Sequence, residues 1–156
     1  MRNIRRSRKH DDLVSRLAER PVSEQLNQKI FPTYKALMCF AACLGFDRGA
    51  EEDVIDPVDF VDSRVIERDA DCMDLIYLIG LAKARDGGIL KDGPETEAQL
   101  ANVFERFSEG GLGVLQQWMR ETPSDAYGHA AIIAALHKHG YIAAPGTQGT
   151  GEEPDF

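Results

Sequence analysis

The sequence lacks any hydrophobic run long enough to cross a bilayer. Its longest nearly uncharged stretch, residues 36–46, falls far short of the roughly 20 apolar residues that a membrane-spanning helix needs. It also lacks a secretory signal, because the N-terminus reads MRNIRRSRKH and has no apolar segment. Asp11 and Asp12 interrupt the acid-poor pattern of a mitochondrial transit peptide. We therefore expect a cytoplasmic protein.

Cysteine is scarce, and the number of cysteines, three, is odd. Cys39, Cys43 and Cys72 all have apolar neighbours in sequence, which is typical of reduced, buried thiols in a cytoplasmic protein. Cys39 and Cys43 are four residues apart and share a helical face, so they could bind a soft metal together with Cys72 or a histidine. Zinc sites usually place their cysteines on turns, and we favour buried core thiols.

The motifs of common enzyme classes are missing as well. There is no nucleotide-binding glycine loop with its lysine, no Gly-x-Ser-x-Gly turn and no His-Glu-x-x-His zinc helix. His129, His137 and His139 lie near the end of the chain, with Asp125 one turn before His129, and could serve as a base or as metal ligands. Positive charge at a helix C-terminus is the interpretation that we favour for them.

Acidic residues are abundant in the middle of the chain and are numerous enough to suggest a metal-dependent nuclease. They are Asp53, Asp56, Asp59, Asp62, Glu67, Asp69, Asp71 and Asp74. Such nucleases generally need a lysine two residues after a metal-binding acid, and no lysine occurs between Lys35 and Lys83. A solvated acidic surface, which could dock a basic partner, is the favoured interpretation. We expect no metal or other cofactor.

Charge is distributed unevenly along the chain. The net charge is −8, from 18 Lys and Arg against 26 Asp and Glu; residues 1–48 carry ten basic and five acidic residues, and residues 49–156 carry eight and 21. A basic head on an acidic body indicates nucleic acid or an acidic partner as the target of the head. The predicted DNA-contacting residues are Arg2, Arg5, Arg6, Arg8, Lys9, Arg16 and Arg20.

Helical periodicity dominates the rest of the sequence, and a length of 156 residues suits one domain. The pattern predicts an all-α fold of five or six helices around one buried central helix, with the possibility of a short strand pair. The central helix is expected to begin after Thr33 and to end at Gly45. Residues 1–10 are predicted to be a flexible basic arm, residues 11–144 the helical domain, and residues 145–156 a disordered acidic tail.

Further breaks are predicted after the central helix. Residues 47–64 interrupt the helical period and could hold a short strand, and residues 65–86 resume it. Pro94 suits the first turn of the next helix, and Gly110–Gly111 predicts a joint or kink in it. The run from Thr122 to Asp125 is typical of the N-cap of a last helix, which is expected to end near His139. Residues 89–90 could form a short extended piece.

The stretch FPTYKALMCFAACLGF, residues 31–46, resembles a small bacterial family encoded beside DNA phosphorothioation (Dnd) genes, the "phosphorothioation-associated protein 4" family. The similarity continues through Val65–Ile66, residues 75–81 and the segment ANVF…GGLGVL of residues 101–115, so that it covers about residues 30–120. Dnd systems replace a non-bridging phosphate oxygen of DNA with sulfur, and a linked restriction module attacks DNA without the mark. The resemblance transfers no catalytic residues.

The resemblance and the charge pattern together favour a non-enzymatic accessory component of such a restriction or antiviral defence system. It would bind DNA through the basic head, or a restriction-complex protein through the acidic body, or both. Two alternatives stay open: a small metal-dependent nicking enzyme that uses Asp, Glu and His side chains, and a transcriptional regulator of the same locus.

Overall fold

The computed structural model describes residues 1–23, 25 and 27–143 of the chain. These residues form six α-helices and one two-stranded antiparallel sheet, which confirms the predicted mostly helical single domain with a strand pair. The helices are α1 (Asp11–Ala18), α2 (Tyr34–Arg48), α3 (Ser63–Glu67), α4 (Ala70–Ala84), α5 (Pro94–Glu121) and α6 (His129–Lys138). The strands are β1 (Ile4–Ser7) and β2 (Pro57–Val61), and the short 3-10 helices are Arg8–His10 and Gly87–Leu90.

Helix α2 is the predicted central helix. The Thr33 hydroxyl caps it by accepting a hydrogen bond from the Ala36 amide at 3.1 Å, as the sequence predicts. The end predicted at Gly45 is wrong, because the helix continues to Arg48 and Gly49 supplies the left-handed C-cap with φ of 61°. Gly45 is needed for packing: a Cβ there would lie 2.0 Å from the carbonyl oxygen of Phe107 in α5.

Helix α5 packs along the inner side of α2 over its middle turns. Pro94 occupies the first turn, as expected. The joint predicted at Gly110–Gly111 is wrong, since one helix of 28 residues runs through both glycines. A Cβ on Gly111 would lie 1.8 Å from the Ala41 carbonyl oxygen, and one on Gly110 would lie 2.0 Å from the Ala50 carbonyl oxygen. The glycines therefore allow close contact between backbones, with no break in the helix.

The first ten residues are a folded part of the domain, in place of the flexible arm that the sequence predicts. β1 pairs with β2 so that Ile4 lies opposite Val61 and Arg6 opposite Val58. The Ile4 side chain is completely buried in the core. The buried side chain of Ile4 and the backbone hydrogen bonds with β2 fix this segment. A sequence pattern with a single apolar residue does not predict either contact.

The helix predicted over residues 65–86 is two helices, because Asp69 caps α4 by accepting a hydrogen bond from the Cys72 amide at 3.1 Å. Residues 89–90 belong to the second 3-10 helix and not to an extended piece. α6 begins at His129, later than predicted, after Gly128 with φ of 100°. The predicted end near His139 is confirmed.

The tail predicted over residues 145–156 lies outside the described residues. Among the helices that are described, none combines the length and the apolar character that a bilayer-spanning segment needs.

Candidate functional site

Two of the predicted DNA-contacting residues, Arg5 and Arg6, lie on β1. Two buried glutamates of α5 hold this strand against the helix. Glu105 is 3% exposed and accepts a hydrogen bond from the Arg5 backbone amide at 2.7 Å. Its carboxylate also accepts from Arg5 Nε at 3.2 Å and from Arg2 Nη2 at 2.9 Å. Burial alone would raise the pKa of Glu105, but the hydrogen bonds from Arg2 and Arg5 outweigh it and lower the pKa. Glu105 thus holds both the backbone and the charges of β1.

Glu109, one turn further along α5, repeats this arrangement at the end of β1. It is 1% exposed and accepts a hydrogen bond from the Ser7 amide at 3.0 Å. His10 Nε2 lies 3.0 Å from the other carboxylate oxygen, without good hydrogen-bond alignment, and Lys9 Nζ lies 3.4 Å away. Burial favours the protonated acid, yet the contacts with His10 and Ser7 lower the pKa of Glu109 to about 2.

The remaining predicted DNA-contacting residues also make contacts within the chain. Arg6 pairs with Asp11 and Arg8 pairs with Asp56, while Lys9 Nζ lies 3.0 Å from Glu52. Arg16 donates to the backbone carbonyl of Asp125. Arg20 donates its backbone amide to the Ser15 carbonyl at 3.0 Å, and within the described part of the chain it alone of the seven predicted residues makes no side-chain hydrogen bond or ion pair. The fold pairs five of the seven, Arg2, Arg5, Arg6, Arg8 and Lys9, with carboxylates, whereas Arg16 contacts a carbonyl beyond the other end of α5.

A second candidate region is the outer face of α2, which turns away from α5. We define this outer face as Ala36, Cys39, Phe40, Cys43 and Asp47, which recur at helical spacing. Ala36, Cys39 and Phe40 are half-buried and Cys43 is exposed. Small and apolar side chains therefore line a helix face that is partly open to solvent.

Two cavities flank the outer face of α2. On the side of α6, a cavity of about 260 Å³ is lined by Phe40, Cys43, Leu44, Asp47, Leu136 and Tyr141. On the side of α4, a cavity of about 220 Å³ is lined by residues that include Lys35, Cys39, Asp69, Asp71, Cys72 and Leu75. We call these the α6 groove and the α4 groove.

The rim of the α4 groove combines acidic and apolar residues. Asp71 and Asp74 are exposed on α4, and Lys35 is paired with Asp69. Leu78 lies one turn after Leu75 and is 63% exposed, more than any other large apolar side chain on α4. A ligand with apolar side chains and positive charge is the chemical complement of this surface.

Several of the residues considered for metal chemistry have structural partners. His139 stacks on Trp118 with ring centroids 5.8 Å apart, and its Nδ1 lies 3.2 Å from Arg48 Nη1. Asp62 and Asp69 cap helices, and Asp56 pairs with Arg8. Throughout the described ranges, no group of three or more His, Cys, Asp or Glu side chains is arranged to hold a metal ion.

Sequence reasoning missed Glu105 and Glu109, the residues that organise the N-terminal segment. A signal was present, since two acids four residues apart interrupt the apolar stripe of Phe104, Phe107 and Leu112. Acids on the buried side of an amphipathic helix predict basic partners from elsewhere in the chain.

Comparison with known proteins gives one match, to a protein family. The family model for DNA sulphur modification system-associated protein 4 matches residues 3–141. No curated protein and no solved structure is similar enough to match the chain. The matched range includes β1, the carboxylates of α5 and both grooves beside α2. The chain belongs to the family of DNA sulphur modification system-associated protein 4.

Proposed function

We propose that this protein is a non-enzymatic accessory component of a DNA sulphur modification system that binds a basic restriction-complex protein through the outer face of α2 and the α4 groove. Membership of the family supports the association with such a system. The observation that carries the binding role is the apolar outer face of α2 beside an acidic rim.

Apolar area and charge are the two physical contributions to this binding. Cys43 and Leu78 are exposed apolar side chains whose burial against a partner would be favourable by roughly 25 cal/mol per Å². Asp71 and Asp74 add negative charge at the rim, in a chain of net charge −8. Proteins that handle DNA carry basic surfaces, so charge attraction would speed their association with this one.

A binding experiment with defined partners tests this role. Purified restriction subunits of the same system are titrated with the protein by isothermal calorimetry. We expect Leu78→Glu to weaken binding by about tenfold or more, because it places a charge in the buried interface. Ile55→Glu is the matched control, since Ile55 is 69% exposed on the segment before β2 and lines neither the α6 groove nor the α4 groove. Equal binding by wild type and Leu78→Glu, or no binding to any subunit, contradicts the proposal.

A second proposal, DNA contact, is favoured by the exposure of Arg5, Arg8 and Lys9, whose side chains are 40%, 59% and 49% exposed. A guanidinium paired along one edge still presents other N–H groups to a phosphate. Fluorescence anisotropy on phosphorothioated and unmodified duplexes, at low and moderate salt, measures this contact. The proposal expects affinity that falls steeply with salt.

The variant for this test replaces Arg5, Arg6, Arg8 and Lys9 together with Ala, and Arg120→Ala is the control on an exposed part of α5. Unchanged DNA affinity in the fourfold variant would remove these residues from the DNA surface. Nicking of plasmid DNA that requires a divalent metal would replace the accessory role with the enzymatic alternative. A preference for one operator sequence would favour the regulator.

A further inference from the structure

We propose that Cys39 and Cys72 form a redox-active dithiol, which small hydroperoxides oxidise to a reversible disulfide between α2 and α4. The two Sγ atoms are 3.7 Å apart across the α4 groove, although the residues are 33 positions apart in the sequence. This inference does not depend on the proposed docking role.

The backbone holds the two sulfurs next to each other. Cys39 lies on the outer face of α2, and Cys72 lies in the first turn of α4. The Lys35–Asp69 ion pair joins the same two helices one turn earlier. A separation of 3.7 Å is a contact between unbonded sulfurs, whereas a disulfide bond is about 2.05 Å long. Rotation of the two side chains toward each other has to supply the remaining approach.

The surroundings shift the pKa values of the two thiols in opposite directions, so that one thiol acts as the nucleophile and the other as the resolving group. A hydrogen bond from Cys39 lowers the pKa of Cys72 against the opposing effects of burial and of the Asp69 carboxylate, and Lys35 makes a smaller lowering contribution. The same hydrogen bond, together with burial, raises the pKa of Cys39. The amides at the start of α4 also favour negative charge on Cys72. Cys72 is therefore the attacking thiolate.

The low exposure of Cys72 limits the size of the oxidant that can reach its sulfur. The residue is 3% exposed and borders a cavity of about 220 Å³, which Cys39 also lines. Hydrogen peroxide and small alkyl hydroperoxides fit this space, whereas a bulky disulfide such as oxidised glutathione is disfavoured. Cys43 is exposed one turn after Cys39, but burial on its inner side raises its pKa and disfavours the thiolate.

The reaction balances with the hydroperoxide as the only oxidant. The Cys72 thiolate attacks the terminal oxygen, breaks the O–O bond and becomes a sulfenic acid, while the leaving alkoxide or hydroxide takes a proton. The Cys39 sulfur then attacks Cys72 Sγ, forms the S–S bond and displaces hydroxide, which leaves as water with the Cys39 proton. Two thiols are oxidised, and one hydroperoxide is reduced to an alcohol or water and a further water.

The test treats the reduced full-length protein with hydrogen peroxide and then counts free thiols and maps crosslinked peptides by mass spectrometry. We expect the number of free thiols to fall from three to one, with a link between the peptide that holds Cys39 and the peptide that holds Cys72. Dithiothreitol should restore all three. Oxidised glutathione should produce the link more slowly than hydrogen peroxide does.

Two substitutions make the result specific. Cys43→Ser should still form the link, because it keeps both sulfurs of the pair, and Cys39→Ser should not form it. Cys39 is half-buried, and circular dichroism checks that its serine variant stays folded. The proposal is overturned if Cys43→Ser forms no link, if the link joins Cys43 to Cys72 or joins two chains, or if peroxide oxidises Cys43 alone.

Discussion

Helix α5 contacts α2 and β1 in opposite ways. Toward α2 it presents Gly110 and Gly111, so that backbone meets backbone with no room for a side chain. Toward β1 it presents Glu105 and Glu109, which accept hydrogen bonds from the strand's amides. The first contact depends on shape and the second on charge, and they should therefore respond differently to substitution, pH and salt.

The largest expected effect is on the glycine contact. Gly111→Ala should lower the free energy of unfolding by about 3 kcal/mol or more, because its Cβ would lie 1.8 Å from the Ala41 carbonyl oxygen and backbone atoms cannot move aside. Gly113→Ala is the control in the same helix: its Cβ would meet only the end of the flexible Glu52 side chain, so it should be neutral or stabilising. Urea unfolding measures both, and similar values for the two would refute steric control of this contact.

The carboxylate contact should be the next most sensitive. Glu109→Gln keeps the shape of the side chain but removes the charge that faces His10 and Lys9, and we expect a loss of about 2 kcal/mol in the free energy of unfolding. Glu95→Gln, at an exposed site in the first turn of α5, should change it by less than about 0.5 kcal/mol. A loss no larger for Glu109→Gln than for Glu95→Gln would show that the charge is unimportant.

Acid should separate the two contacts. Glu109 has a pKa of about 2 in the folded protein, below its usual 4.5, so the unfolded chain binds more protons between these values. Its contribution to stability is complete above about pH 4.5 and is lost as the pH falls toward 2. Urea unfolding across this range should show a shallower pH dependence in Glu109→Gln than in wild type, whereas Gly111→Ala should keep the wild-type slope. Parallel curves for wild type and Glu109→Gln would contradict the assignment.

The smallest effect is expected where charges pair in solvent. Arg8 and Asp56 are 2.9 Å apart, but their side chains are 59% and 65% exposed. Arg8→Ala should therefore cost about 0.5 kcal/mol or less, and less still at high salt. Thermal unfolding at two salt concentrations measures this. If Arg8→Ala lowers the free energy of unfolding as much as Glu109→Gln does, burial is not what makes the ion pairs of Asp56 and Glu109 differ.

The sequence predicts the parts of the fold that local patterns determine. The apolar run of α2, its Thr33 cap and the Pro94 start of α5 all follow from rules about neighbouring residues. The roles of Gly45 and Gly111 do not follow from such rules, because the sequence cannot distinguish a glycine that ends a helix from one that permits close packing. Only the position of the neighbouring helix distinguishes them.

The candidate sites depend even more on long-range contacts. The basic composition of residues 1–20 is visible in the sequence, but apart from Asp11 the carboxylates that pair with it come from α5 and from the segment before β2. Likewise, Cys39 and Cys72 are unremarkable core cysteines until α2 and α4 lie side by side. Periodicity reports which face of a helix is apolar and does not report what that face meets.

The attachment of β1 to α5 also constrains the order of folding during synthesis. Glu105 accepts a hydrogen bond from the backbone amide of Arg5, which lies 100 residues earlier in the sequence. β2 lies between the two residues in sequence. The first strand can pair with β2 once residues 57–61 have been made, but the amides of Arg5 and Ser7 have no carboxylate partner until about two thirds of the chain has been made. Closing the domain is thus a late event, because Arg2 and Arg5 meet their shared partner Glu105 only after the helix that carries it has been made.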